Sequence, residues 1–154
     1  MIDILLTKGK TAIIDEDDFF LISQYRWWAK LKGSKWYAET KINGKNVSMH
    51  RFLTQAPKDT IVDHKDGDGL NNRRSNLRFA TAQQNAWNTQ VYPGRDFKGV
   101  SFRKDRGLYR AYITVENRYY HLGHFATAEL AAEAYDKAAQ ELFGEFACLN
   151  EVAV

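Results

Sequence analysis

The sequence predicts an α+β protein in two parts, and three observations carry that expectation. Short apolar runs separated by turn residues fill the first part, from Ile2 to about Ala80. Three alternating runs between Gly99 and Gly123 are followed by one long stretch, Thr127 to Phe143, with helical periodicity. Between them Tyr92-Pro93-Gly94 interrupts the pattern, so the domains are expected at 1–93 and 94–154.

In the first part, Ile2–Leu6 and Thr11–Ile14 flank Lys8-Gly9-Lys10 and read as a hairpin. Asp15-Glu16-Asp17-Asp18 offers a helix start before Phe19–Ser23, because carboxylates suit the positive end of the helix dipole. Arg26–Leu31, Lys35–Ile42 and Lys45–Met49 read as strands, with turns at Lys32-Gly33-Ser34 and at Asn43-Gly44, a strong hairpin signal. Trp27, Trp28 and Trp36 are expected to pack this sheet rather than stack on bases. A short helix from His50 to Gln55 ends before Pro57.

Composition bounds the function classes. With 44% hydrophobic and 14% aromatic residues, the chain of 154 has enough apolar surface for packed cores, which excludes disorder. A single cysteine, Cys148, excludes an internal disulfide and a Cys-rich zinc site. The apolar runs are too short to span a bilayer, so a soluble, unsecreted protein without a membrane partner is expected. The net charge of +3 hides a segregation. Residues 94–121 hold seven Lys and Arg against three acidic residues, whereas residues 122–154 hold one Lys against six acidic residues. A basic segment beside an acidic one points to a polyanion met on one face only.

Strand parity sharpens that reading. Tyr109, Ala111, Ile113 and Val115 form one face, with Val100, Phe102, Tyr120 and Leu122 beside them, expected to bury under the helix. Arg110, Tyr112 and Thr114, with Ser101, Arg103, Tyr119 and His121, are expected to face outward. The helix supplies Ala128, Ala131, Ala132, Tyr135, Ala138, Ala139 and Leu142 at spacings of three and four. Such a sheet presents a basic, hydrogen-bonding surface able to enter a major groove. His121 and His124 lack the further ligands of a zinc site.

The residues with the strongest chemical content lie in Ile61–Asn88. Phosphodiester hydrolysis needs a base, a cation against developing charge, and a means of holding both in line. His64 supplies an imidazole able to take a proton near neutral pH. Asp63 and Asn85 supply hard oxygen donors suited to Mg²⁺ or Mn²⁺. A calcium-loop reading of the run from His64 fails, because its twelfth position is Ser75 rather than Glu.

The succession Val62-Asp63-His64, Asp66-Gly67, Asn71-Asn72-Arg73, Asn76-Leu77-Arg78 and Gln84-Asn85 resembles the HNH endonucleases, in particular the His-Asn-Asn subgroup found in homing endonucleases. The resemblance implies two strands and a helix around one metal (ββα-metal), with His64 activating water and Asp63 and Asn85 holding the ion. Asn76 would brace the loop that carries the base. Met49-His50-Arg51-Phe52 also looks like the segment preceding this motif and is expected to be structural.

From Phe97 to Asn150 the chain resembles the APETALA/ethylene-response-factor DNA-binding domain, through Phe97-Lys98-Gly99-Val100, Tyr120-His121-Leu122-Gly123, Phe125-Ala126-Thr127-Ala128-Glu129 and Ala134-Tyr135-Asp136. By position Lys98, Ser101, Arg103, Tyr112, Thr114, Tyr119 and His121 would touch DNA. Plant-type domains carry more Arg and Trp there, so the target sequence should differ. Together the resemblances imply a homing-type endonuclease on double-stranded DNA, monomeric, in the cytoplasm of a bacterial or phage-infected cell. The rival reading is a non-catalytic, sequence-specific DNA-binding or regulatory protein with a degenerate nuclease domain.

Overall fold

Residues 1–91, 94–150 and 152 are described by a computed structural model; Tyr92 and Pro93 of the punctuation, and Glu151 of the acidic segment, lie outside the described residues. The chain forms two compact units, 1–85 and 86–154. The first begins with β1 (Ile2–Leu5) and β2 (Thr11–Ile14), an antiparallel pair joined by a single 3-10 turn at Thr7–Gly9. An acidic 3-10 turn, Glu16–Asp18, leads into α1 (Phe19–Ser23).

Next, β3 (Trp28–Lys32), β4 (Lys35–Ile42) and β5 (Lys45–Ser48) make a sheet in sequence order. Asn43 and Gly44 both take positive φ (48° and 78°), the conformation a tight two-residue hairpin requires. β3 starts later than expected because Trp27 turns into the core, where its indole N–H donates to the Ile22 carbonyl at 2.9 Å. Then α2 (Met49–Thr54) precedes a hairpin of β6 (Ile61–His64) and β7 (Leu77–Ala80) and the helix α3 (Ala82–Trp87). The core joins Ile14, Ile22, Trp27, Ala38, Met49 and Leu53 to Val62 and Leu77, so the strands of the last hairpin rest on everything before them.

The second unit is the expected three-stranded antiparallel sheet on one helix. β8 (Val100–Arg103), β9 (Leu108–Val115) and β10 (Arg118–Phe125) lie with β9 in the middle, and α4 (Ala128–Phe143) covers one face. Thr127 caps α4, its Oγ1 accepting from the Leu130 amide at 3.3 Å. Ala131, Ala132 and Ala139 are wholly buried, which lets the helix lie close to the strands. Gly99 marks the tightest approach: φ is +72°, and a Cβ there would stand 2.0 Å from the Tyr135 ring.

The register puts the expected residues on the helix side, and burial follows in the middle strand, where Ala111 and Ile113 are buried, but not at the margins. Phe102 and Tyr120, expected inward, are about half exposed, at 51% and 47%. One helix shields the central strand and not the two edges, so Phe102 instead packs on Tyr109 with ring centroids 4.9 Å apart. Leu142 is likewise exposed, its place in the core taken by Phe143. Residues just after Asn85 pack with this second unit: Trp87 stacks on Phe143 at 4.4 Å, and the Lys98 ammonium donates to the carbonyls of Trp87 and Thr89 at 2.6 and 2.7 Å.

Candidate nuclease site and DNA-facing sheet

The β6–β7 hairpin places Asp63 opposite Arg78 and His64 opposite Leu77. Asp63, His64 and Asn85 line one cavity of about 270 Å³ in the first unit, together with Lys32, Lys35, Tyr37 and His50. Asp63 is buried and anchored: Arg78 Nε donates to its Oδ2 at 2.9 Å, and Nη2 stands 2.8 Å from the same oxygen. His64 is also buried, and burial pulls its pKa below the ordinary value against the opposing pull of Asn72 and nearby carboxylates. The imidazole is therefore neutral at neutral pH.

A polar loop, 65–76, holds these groups by hydrogen bonds within itself. Asn76 accepts from the Asp66 amide at 3.1 Å and donates from Nδ2 to Asp66 Oδ1 (2.9 Å) and the Asn71 carbonyl (2.8 Å). Its own carbonyl accepts from the Lys65 amide at 2.9 Å, directly after the imidazole. Asn72, wholly buried, donates to the Leu70 carbonyl at 3.0 Å, which turns its Oδ1 toward His64 Nε2, 3.5 Å away. An amide oxygen only accepts, so this contact suits the tautomer that carries its proton on Nε2.

Sequence reasoning missed the far wall of this cavity. His50 packs its ring edge-on to His64, centroids 5.0 Å apart, and burial with the neighbouring His64 and cations lowers its pKa to about 3. Tyr37 completes an aromatic cluster, 5.7 Å from His50 and 6.0 Å from His64. Only the third dimension brings residues 32–50 beside residues 61–85, although the helical His50-Arg51 preceding the motif is a visible signal. Arg51 is structural as expected, donating to the carbonyls of Ala56, Pro57 and Thr60.

No three His, Cys, Asp or Glu side chains converge as a metal-binding group among the described residues. The donors around the cavity are of another mixture: one carboxylate, imidazoles and the amide of Asn85. Hard oxygens beside a neutral imidazole fit a divalent ion that keeps several waters.

In the second unit, Arg110, Tyr112, Thr114, Tyr119 and His121 share the face away from α4. The Arg110 guanidinium lies over the rings of Tyr112 and Tyr119, at 5.3 and 5.4 Å, and those rings stack on each other at 5.0 Å. Arg110 Nε and Ser101 Oγ are buried without a hydrogen-bond partner among the described residues. A register shift between His121 and Gly123 puts His124 opposite Arg110, on this same face, with the two histidine rings 4.6 Å apart. Strict alternation hides that residue. Arg103 is half-buried and held by Asp105 at 3.0 and 3.1 Å. Lys98 departs from the expected DNA-touching group: its ammonium is taken up by two backbone carbonyls and is largely buried, which lowers its pKa. Replacing Arg110 by alanine is expected to weaken DNA binding by about 1–3 kcal/mol in a titration with specific duplex; unchanged affinity would remove Arg110 from the interface.

A strand-loop-strand-helix element around an acid, an imidazole and an amide, followed by a helix-backed basic sheet, defines a nucleic-acid-processing protein. Residues 54–87 match the HNH endonuclease family, and residues 95–145 match the AP2 domain. Over 151 residues the chain is 34% identical to a protein named Uncharacterized HNH endonuclease L560 from Acanthamoeba polyphaga mimivirus, covering 94% of this chain and 77% of that protein. Over 93 residues it is 33% identical to Protein 3.8 of Escherichia phage T7, covering 59% of this chain and 76% of that protein. No solved structure matches. The chain belongs to the HNH endonuclease family, with an AP2 DNA-binding domain after its nuclease segment. Such nucleases generally use a divalent metal, and no helix among the described residues is long and apolar enough to cross a membrane.

Proposed function

We propose that the protein is a site-directed, homing-type endonuclease that hydrolyses phosphodiester bonds of double-stranded DNA. The observation that carries this reading is the shared cavity: Asp63, His64 and Asn85, separated along the sequence, line the same space. His64 is the general base. With Nε2–H given to Asn72, its Nδ1 takes the proton from the attacking water. Asp63 and Asn85 would hold the Mg²⁺ or Mn²⁺, which when bound supplies positive charge against the charge developing on the phosphate oxygens. Arg78 fixes the orientation of Asp63, and Asn76 fixes the loop on which His64 sits. The helix-backed sheet places the enzyme on its site through Arg110, Tyr112, Thr114, Tyr119 and His121, with Ser101 and Arg103 beside them.

We take the nuclease segment of the sequence to run to about residue 93 and the DNA-reading segment from 94, with the residues just after Asn85 folding against the second, and the protein to act as a monomer in the cytoplasm of a phage-infected or bacterial cell. A supercoiled plasmid carrying target sequence is expected to be nicked or linearised with Mg²⁺ or Mn²⁺ and to stay intact with EDTA. Binding without cutting under every divalent metal would instead establish the non-catalytic, regulatory reading.

A further inference from the structure

The β3–β5 sheet lies outside the segments that match the two families, 54–87 and 95–145. Its register nonetheless organises one face with care. Lys30 pairs with Tyr37, Lys32 with Lys35, and Lys41 is two alternations further along β4, so Lys30, Lys32, Lys35, Tyr37, Glu39 and Lys41 all project to the same side. The opposite side holds Ala29, Ala38 and Thr40, which are buried. On the lysine-bearing side Glu39 and Ser48 are buried, while Lys30, Lys32 and Lys41 are exposed and Lys35 is half-buried.

Three features of that face call for an explanation. Lys32 and Lys35 stand directly opposite each other, an arrangement that destabilises a sheet through like-charge repulsion. Only Lys32 has an acidic partner, the buried Glu39; among the described residues Lys30, Lys35 and Lys41 have none. And Lys32, Lys35 and Tyr37 also line the cavity that holds Asp63 and His64, so the cationic face runs continuously into the candidate cutting site. A surface that keeps unpaired cations in a row beside a phosphodiester-cleaving site has the charge of a polyanion track.

We propose that this sheet face is a second DNA-binding surface, carrying the backbone phosphates that flank the one to be cut. Lys35 and Lys32 take the phosphates nearest the cavity, Lys30 and Lys41 the ones beyond, and the Lys32–Glu39 pair keeps the innermost ammonium in place. The partner is duplex DNA held through its phosphates, without base reading, which remains with the AP2 sheet. This inference rests on the nuclease reading above.

The test compares wild-type protein with the triple variant Lys30→Gln, Lys35→Gln and Lys41→Gln. Lys32 is left intact so that Glu39 stays paired, and the double variant Lys45→Gln and Lys58→Gln serves as a charge-loss control away from the face. Cleavage of a target duplex is followed at several salt concentrations with Mg²⁺. The expected result is a KM at least tenfold higher for the triple variant, with the slope of log affinity against log salt reduced by about 0.9 for every phosphate that is no longer neutralised. Restoring the charges as Lys→Arg should recover most of the affinity, and the control should follow wild type. A wild-type enzyme that cuts, beside a triple variant with unchanged KM and salt slope, would overturn the surface. A control that falls as far as the triple variant would overturn it too, by reducing the effect to net charge. Absence of cutting by the wild-type protein under any divalent metal would overturn the nuclease reading instead, and salt-dependent binding of a non-specific duplex then reads the surface directly, by the same two slopes.

Discussion

Replacing His64 with alanine is expected to slow cleavage by roughly 10²–10⁴-fold, the contribution typical of a positioned general base, while affinity for target DNA is retained. The pH profile sharpens the expectation. A base acts in its neutral form, so the wild-type rate should climb as pH rises through the pKa of His64 and level off above it. Burial holds that pKa below the ordinary 6.5, so the plateau should already be reached near neutrality. The alanine variant should lose that limb of the profile. Single-turnover cleavage between pH 5 and 8 measures both, and a variant cutting at the wild-type rate would remove His64 as the base. Because the loop is braced by Asn76 rather than by the imidazole, the variant should keep its fold, at the stability cost of removing a buried ring.

The second large effect is one of stability. Gly99→Ala should unfold or severely loosen the C-terminal unit, at a cost on the order of 3–5 kcal/mol out of a total that for a small domain is about 5–15 kcal/mol. Two constraints act together. Positive φ (+72°) strains any residue with a side chain, and the added Cβ would meet the Tyr135 ring at 2.0 Å and the Tyr112 carbonyl at 2.6 Å. The ring could shift, but the carbonyl belongs to the central strand and cannot. Thermal unfolding and specific DNA binding are the measurements, and a variant that melts with the wild type would show that the helix has room to spare. The first unit, with its own core, should keep its fold.

How legible this protein is in its sequence depends on the range of the interaction concerned. The strand, loop and helix around Asp63, His64, Asn76 and Asn85 can be read because turn residues and polar side chains recur there at short spacing. The helix-backed sheet is equally readable, since alternation in β9 and the alanine spacing in α4 are local patterns. What parity cannot show is the irregularity in β10, where one extra residue brings His124 to the side of His121. Nor can it show which apolar side chains the helix fails to cover, as with Phe102 and Tyr120. Lys98 stands among the expected DNA contacts only by its position in the resembling domain; in the structure its ammonium donates to two carbonyls from an earlier segment. Tyr37 is invisible as a site residue for the same reason, because its neighbours arrive from another part of the chain, and His50 shows in the sequence only as part of the segment before the motif.

The loop bearing Asn72 and Asn76 is stitched to residues 13–18. Ile13 exchanges backbone hydrogen bonds with Leu70 and Asn72, at 2.9 and 2.8 Å. Arg74 grips Asp18 through Nε and Nη2, and Asp15 accepts from the Arg74 amide and the Arg73 guanidinium. The stretch that names the family is therefore not a transplantable cassette. Cut free at residue 54, it would lose the partners in residues 13–18 that shape its loop.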